Sequence, residues 1–150
     1  MVRSMVVVLA SALLLGGCAS VQDKVNGACS DVKDVVNAVP EFADRTHAGV
    51  TVPALGKQIE VAQAAGRTFE VAGADADFRA AWEKMINALQ ENATAWKGWD
   101  NKTRPRGSDM YFMVMFAKAE KEADEAKGAL DTAAGKSGFT ECGDAIRWRY

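Results

Sequence analysis

The sequence has few residues that interrupt helices and few that carry out chemistry. Only 3 prolines occur among 150 residues, and the many alanines favour helices over strands. The single histidine, His47, has no second histidine to share a metal ion and no serine neighbour that would indicate a triad. No Cys-x-x-Cys pair and no distinctive carboxylate pair is present. We therefore expect a helical protein that is not an enzyme and that holds no metal or cofactor.

A strongly basic surface is also lacking. The chain has 18 lysines and arginines against 20 aspartates and glutamates, which gives a formal net charge of −2. Proteins that bind nucleic acid concentrate positive charge on one face, and a nearly balanced acidic chain does not offer this. Nucleic acid is therefore not an expected partner.

The longest apolar run lies at the start of the chain. Arg3 supplies a positive charge, and residues 5–15 form an unbroken stretch of apolar and small residues. This stretch is too short to span a bilayer, which takes about 20 apolar residues. A charged start, a short apolar run and a small-residue exit are typical of a secretory signal peptide, which is removed from the mature protein.

The end of this run carries a more specific signal. Residues 15–18, Leu-Gly-Gly-Cys, resemble the lipobox of bacterial lipoproteins, in which an aliphatic residue and two small residues precede a cysteine. The resemblance implies that a diacylglycerol is attached to the Cys18 thiol and that the chain is cut just before Cys18. Two acyl chains hold a protein at a membrane stably, whereas one chain holds it marginally. The alternative is a plain signal peptide followed by an unmodified cysteine.

The expected organisation follows from this anchor. It comprises a signal peptide over 1–17, a lipidated tether over 18–22 and one helical domain over 23–150. A mature chain of roughly 130 residues can bury most of its surface in a single domain. The expected location is the extracytoplasmic side of the cell membrane or the outer membrane, with the lipid on Cys18 as the membrane contact.

Two cysteines remain after lipidation, Cys29 and Cys142, one near each end of the domain. An exported chain is in an oxidising compartment, where a remaining pair usually forms a disulfide. Such a bond would close a loop of about 110 residues, which is worth about 4–5 kcal/mol in the loop-entropy account. The alternative is a pair of free thiols.

Four segments place apolar residues every three or four positions, which is the period of a helix with one buried face. The face of the first segment comprises Val21, Val25, Ala28, Val32, Val35 and Val39. Pro40 limits this helix. The second helix is expected to have Pro53 at its first position and to end at Gly73. Asp75 or Asp77 then caps the third helix.

The third helix has the strongest apolar stripe of the chain, over residues 78–96. Ser108 or Asp109 caps the fourth helix, which Gly135 is expected to end. The fourth helix opens with an unbroken apolar run that contains three of the methionines: Met110, Met113 and Met115. Because residues 113 and 115 are about 200° apart on a helix, the three cannot share one copper ion, and we expect them in the core.

These four stripes, joined by short to moderate loops, predict an all-α protein, an antiparallel bundle of about four helices. The apolar residues of the C-terminal stretch, 137–150, indicate that it packs against the bundle. A disulfide between Cys29 and Cys142 would tie the N- and C-terminal parts together.

The residues most typical of binding surfaces cluster in sequence where the third helix gives way to the fourth: Trp99, Arg104, Arg106 and Tyr111. Trp, Tyr and Arg dominate the hot spots of protein interfaces, so we expect this end of the bundle to contact an unidentified envelope protein. The polar loop 100–108 fits a solvated turn or a contact with a small anion or lipid headgroup. The alternative is that the aromatic residues only plug the end of the bundle.

Three classes of function remain. The first is a non-enzymatic envelope lipoprotein that binds or scaffolds another envelope component, and the sequence favours it. The second is a defence protein, such as a prophage-encoded lipoprotein that excludes incoming phage. The third is an envelope enzyme, which would need a pocket with convergent polar groups.

Overall fold

The structure is a computed structural model that describes residues 19–38, 48–99 and 108–147. Four helices occupy these ranges: α1 (Val21–Asn37), α2 (Ala48–Ala72), α3 (Ala76–Trp99) and α4 (Ser108–Ser137). The C-terminal segment, residues 138–147, continues from α4 as turns, and none of the described residues forms a strand. The all-α fold class is thereby confirmed. The expected signal peptide over 1–17 and Cys18 lie outside the described residues.

Helices that follow one another in sequence pack against each other: α1 on α2, α2 on α3, and α3 on α4. The C-terminal segment also contacts α1. Cys29 and Cys142 form a disulfide with a Cα–Cα distance of 5.0 Å. Gln22 Nε2 also donates a hydrogen bond of 2.7 Å to the Gly138 carbonyl. The antiparallel bundle with its two ends tied by a disulfide is therefore as predicted.

A capping box fixes the start of α1. The Ser20 side chain accepts a hydrogen bond from the Asp23 backbone N–H, and the Asp23 carboxylate accepts one from the Ser20 N–H, each at 3.1 Å. The helix therefore begins at Val21, two residues before the expected domain start at 23. Its buried residues are Val25, Cys29, Val32 and Val36. Of the predicted face, Val25 and Val32 are buried, Ala28 and Val35 are half-buried, and Val21 is exposed, so the prediction was wrong for Val21 and missed Val36.

The predicted start of α2 was wrong, because the helix begins at Ala48 and contains Pro53 instead of starting at it. Proline fits helical φ but lacks the N–H that would bond the carbonyl four residues earlier. That carbonyl belongs to residue 49, next to the start of the helix. The missing hydrogen bond therefore falls in the first turns of α2, and the backbone hydrogen bonds over 54–72 continue without a break.

Two glycines with left-handed backbone end α2 and α4. Gly73 has φ +76°, and the N–H of the next residue bonds back to the Phe69 carbonyl at 2.9 Å. Gly138 has φ +73°, and the N–H of Phe139 bonds in the same way to the carbonyl of residue 134 at 2.9 Å. Both form the Schellman motif. The prediction that Gly135 ends α4 was wrong, because Gly138 supplies the positive φ.

Gly66 and Gly73 should respond to alanine with opposite signs. A Cβ at Gly66, inside α2, would lie 3.6 Å from the Trp82 ring, which is ordinary contact. Gly66→Ala should therefore raise the free energy of unfolding by about 0.5–1 kcal/mol. Gly73→Ala should lower it by about 1–2 kcal/mol, since an L side chain disfavours the left-handed conformation. Urea unfolding of both variants measures the difference, and midpoints that shift in the same direction would contradict this account of the two positions.

The centre of the core is aromatic. Trp82 is 1 % exposed, and its ring centroid lies 4.9 Å from that of Phe69 in an edge-to-face arrangement. Its indole N–H donates a buried hydrogen bond of 2.8 Å to the Ala62 carbonyl on α2. Phe78 lies 5.2 Å from Phe69 and 4.7 Å from Phe139 of the C-terminal segment. One cluster thus joins α2, α3 and the C-terminal segment.

A buried amide holds the far part of the C-terminal segment. Gln58 on α2 is fully buried, and its Nε2 donates a hydrogen bond of 2.6 Å to the Arg147 carbonyl. Ala145 and Ile146, the two residues before Arg147, are also buried. The expectation that the tail packs against the bundle is confirmed for its described part.

Candidate binding surface at the distal end

The start of α4 lies at the opposite end of the bundle from the start of α1. The bond from Gln22 to Gly138 places the start of α1 beside the end of α4. Since α4 has 30 residues, its first turn lies about 45 Å along the helix axis from that point. We call the region formed by residues 96–99 and 109–117 the distal end.

Aromatic side chains join α3 to α4 at the distal end. Trp96 packs edge-on against Phe116 at 4.9 Å between ring centroids, and Trp99 lies 5.9 Å from both Phe112 and Phe116. A Cβ at Gly98 would lie 2.9 Å from the Phe112 ring, so this glycine allows the ring to approach α3 closely. Trp96 and Trp99 are therefore half-buried and pack between the two helices.

The other side of the first turns of α4 faces solvent. Four large side chains there are highly exposed: Met110 at 76 %, Tyr111 at 63 %, Met113 at 69 % and Val114 at 63 %. We call these four residues the apolar patch. The expectation that the methionines of this run pack in the core was wrong for Met110 and Met113, whereas Met115 is half-buried. No other described helix covers this side of α4.

The four residues predicted as a partner surface separate into two groups. Trp99 and Tyr111 both lie at the distal end, and both rings contact Phe112, Tyr111 at 5.6 Å and Trp99 at 5.9 Å. Arg104 and Arg106 lie outside the described residues. The assignment of these four residues to a partner surface stays a prediction.

The structure adds Met110, Met113 and Val114 to the exposed residues of the distal end. In the sequence, these three residues belong to one unbroken apolar run. An unbroken apolar run has no periodicity, so it carries no signal of which face is covered. A surface patch of this kind is informative because soluble monomers rarely leave large apolar side chains exposed together.

A shallow polar groove runs between α3 and α4 beside the apolar patch. Tyr111 and Lys118 line it from α4, and Gln90 and Thr94 line it from α3. Lys118 Nζ lies 3.8 Å from a Glu91 carboxylate oxygen, in an exposed ion pair that adds little stability. The groove therefore presents amides, a hydroxyl and a screened charge, which suit contacts with a polypeptide.

The described residues contain no group of three or more His, Cys, Asp or Glu side chains arranged to hold an ion. The described helices also include none that is both long and apolar enough to cross a membrane.

Fold and surface together show that the described residues form an antiparallel bundle of four helices, with α1 covalently tied to the C-terminal segment and an apolar patch at one end. Comparison with family models, curated proteins and solved structures finds no match to this chain.

Proposed function

We propose that the protein is a lipid-anchored cell-envelope protein whose helical bundle binds or scaffolds another component of the envelope and carries out no catalysis. The observation that carries the proposal is the lipobox-like segment 15–18, which resembles that of bacterial lipoproteins. Its cysteine would hold the diacylglycerol and become the first residue of the mature chain.

The start of α1 determines how such an attachment would hold the bundle. Ser20 already caps the helix, so only Ala19 separates Cys18 from a capped helix. Two residue steps span at most about 7 Å, so the start of α1 would stay beside the lipid headgroups. A tether this short would hold the bundle close to the membrane at one end.

The chemistry of the distal end supports a binding role. It combines exposed thioether, phenol and aliphatic side chains with half-buried tryptophans. Tyrosine and tryptophan dominate the hot spots of protein interfaces, and methionine is enriched at interfaces relative to the rest of the surface. This surface would face away from the membrane, where another polypeptide, a second copy of this chain included, could reach it.

Replacing the lipobox cysteine tests the proposal. The Cys18→Ser variant should incorporate no fatty-acid label and should leave the membrane fraction, because serine cannot form the thioether to diacylglycerol. Metabolic labelling with a fatty-acid analogue, followed by fractionation, measures both effects.

The Cys29→Ala, Cys142→Ala double variant is the matched control, since it removes two cysteines and should keep the full label. Labelling that persists in Cys18→Ser, or wild-type protein that takes up no label, would refute the lipid anchor.

A further inference from the structure

We propose that the apolar patch pairs two copies of this chain, side by side, through the first turns of α4. The patch is the largest group of exposed apolar side chains among the described residues. Within residues 19–38, 48–99 and 108–147, six large hydrophobic residues are exposed; four belong to the patch, while Val21 and Val71 lie at the other end of the bundle.

The spacing of the patch suits packing against a helix. Met110, Met113, Val114 and the exposed Ala117 follow one another at i, i+3, i+4 and i+7. Residues at this spacing form one stripe along a helix, which is the pattern that pairs helices in coiled coils. Tyr111 widens the stripe on one side. The expected occupant is therefore a second apolar stripe about two turns long.

A second copy supplies such a stripe. The four patch side chains expose roughly 500 Å² in total, within the size range in which the largest apolar patch of a protein is often functional. Two patches facing each other would bury about 1,000 Å², the lower limit for a specific interface. A two-fold pairing covers both patches with one contact, because the same surface is used on each copy.

The charges beyond the patch disfavour a lipid surface as the occupant. Further along the exposed side of α4 lie charges of both signs: Glu120, Asp124, Lys118 and Lys121, and Asp131 is paired with Lys127. To lay the patch on the membrane that holds the start of α1, α4 would have to lie along that membrane. Its charged side chains would then have to give up water at the headgroups, which costs free energy unless each is paired. A protein contact limited to the patch leaves them in water.

The orientation of the pair rests on the proposed lipid anchor. When two copies are anchored in one membrane, α4 runs from the distal end toward that membrane in each copy. The paired helices are therefore parallel. Val114 of one copy then lies close to Val114 of the other. Confinement to the membrane raises the effective concentration, which favours an interface of this modest size.

Thiol crosslinking of the full-length protein in its native membranes tests the pairing. Val114→Cys, treated with a short bismaleimide, should give a product of twice the monomer mass. The matched control is Val71→Cys, whose position is 91 % exposed and lies at the opposite end of the bundle. Because this control thiol is the more accessible, random collision would crosslink it at least as well. We expect at least a fivefold excess of dimer for Val114→Cys.

A second variant separates pairing from chance contact. Adding Met113→Lys to Val114→Cys places like charges across the pair and should remove most of the dimer. The fold should persist because Met113 is 69 % exposed, and an intact Cys29–Cys142 bond checks this. Two differently tagged copies expressed together show whether the product is a homodimer.

Three results would overturn the proposal: equal dimer yields for Val114→Cys and Val71→Cys, a dimer that survives Met113→Lys, or a product that joins this chain to another protein. A thiol at position 114 that resists water-soluble maleimide without forming dimer would assign the patch to lipid and would also overturn it. Fatty-acid labelling of the same samples reports the anchor separately, so failure of the anchor and failure of the pairing are told apart.

Discussion

Replacing Cys29 and Cys142 together with alanine is expected to lower the free energy of unfolding by about 4 kcal/mol. The bond joins residues 113 positions apart, and loops of about 100 residues have a calculated contribution of about 4.7 kcal/mol. Since domains of this size are stable by only about 5–15 kcal/mol, the variant would lose a large fraction of its stability.

The bond lies among other contacts between α1 and the C-terminal segment. Among the described helices, α1 packs only on α2, and the C-terminal segment also contacts it. That segment also has the Gln22–Gly138 hydrogen bond and an exposed ion pair between Lys33 and Glu141 at 3.6 Å. Exposed ion pairs contribute at most about 1 kcal/mol. The disulfide is therefore a covalent link between α1 and the C-terminal segment, added to the shared apolar core that both enter.

Urea unfolding followed by circular dichroism measures this loss. The wild type under reducing conditions is the control, and it should approach the stability of the double variant. Alkylation of the unreduced wild type gives an independent check, because thiols in a disulfide do not react. Modification of both cysteines without reductant, or a double variant with an unchanged midpoint, would contradict the expected role of the bond.

Trp82→Ala is expected to lower the free energy of unfolding by about 3–5 kcal/mol, the range for removing a large buried aromatic side chain. The Trp82 ring lies in the aromatic cluster, 4.9 Å from the Phe69 centroid and 6.2 Å from that of Phe78. Its removal leaves a cavity between α2 and α3 and takes away the hydrogen bond to the Ala62 carbonyl.

Two further variants separate these contributions. Trp82→Phe keeps an aromatic ring and loses the N–H donor, so it should cost less, about 1–2 kcal/mol. Tyr111→Ala removes an aromatic side chain that is 63 % exposed, and in dilute solution it should change stability by less than about 0.5 kcal/mol. Urea midpoints rank the three variants. A Trp82→Ala protein as stable as Tyr111→Ala would show that the cluster is not the centre of the core.

Features set by local chemistry were predictable from the sequence. Gly73 ends α2 because only a residue that tolerates positive φ fits there. Asp75 caps α3, with its carboxylate accepting hydrogen bonds from the N–H groups of residues 77 and 78 at 2.9 and 3.1 Å. The period of the apolar residues likewise gave the buried face of α3, including Phe78 and Trp82.

Features set by tertiary packing were not predictable in the same way. Helical period leaves Val35 and Val36 nearly equivalent, and only the neighbours of α1 decide which of them is buried. Gly135 and Gly138 are both plausible helix ends by composition, and the choice depends on where Phe139 can reach the aromatic cluster. Pro53 is a common first residue of helices, yet α2 extends before it.

The location of the candidate surface was predictable from the sequence, but only some of the residues that form it were. The aromatic content of the region pointed to the distal end, and Tyr111 is indeed exposed there. Trp99 instead packs between α3 and α4, because its ring meets Phe112 and Phe116. Whether Met113 is exposed depends on which helices pack against that side of α4. A run that is apolar on every side of the helix does not carry this information.

The disulfide also determines how the molecule would carry a mechanical load. A pull between residue 19 and the first turns of α4 would pass through the start of α1 to Cys29, across the covalent bond to Cys142 and along α4. The chain between Cys29 and the start of α4, including all of α2 and α3, is bypassed by this route. Within α1, this force would therefore act only on the residues before Cys29, and the same tension would then be carried by residues 138–142 and along the axis of α4.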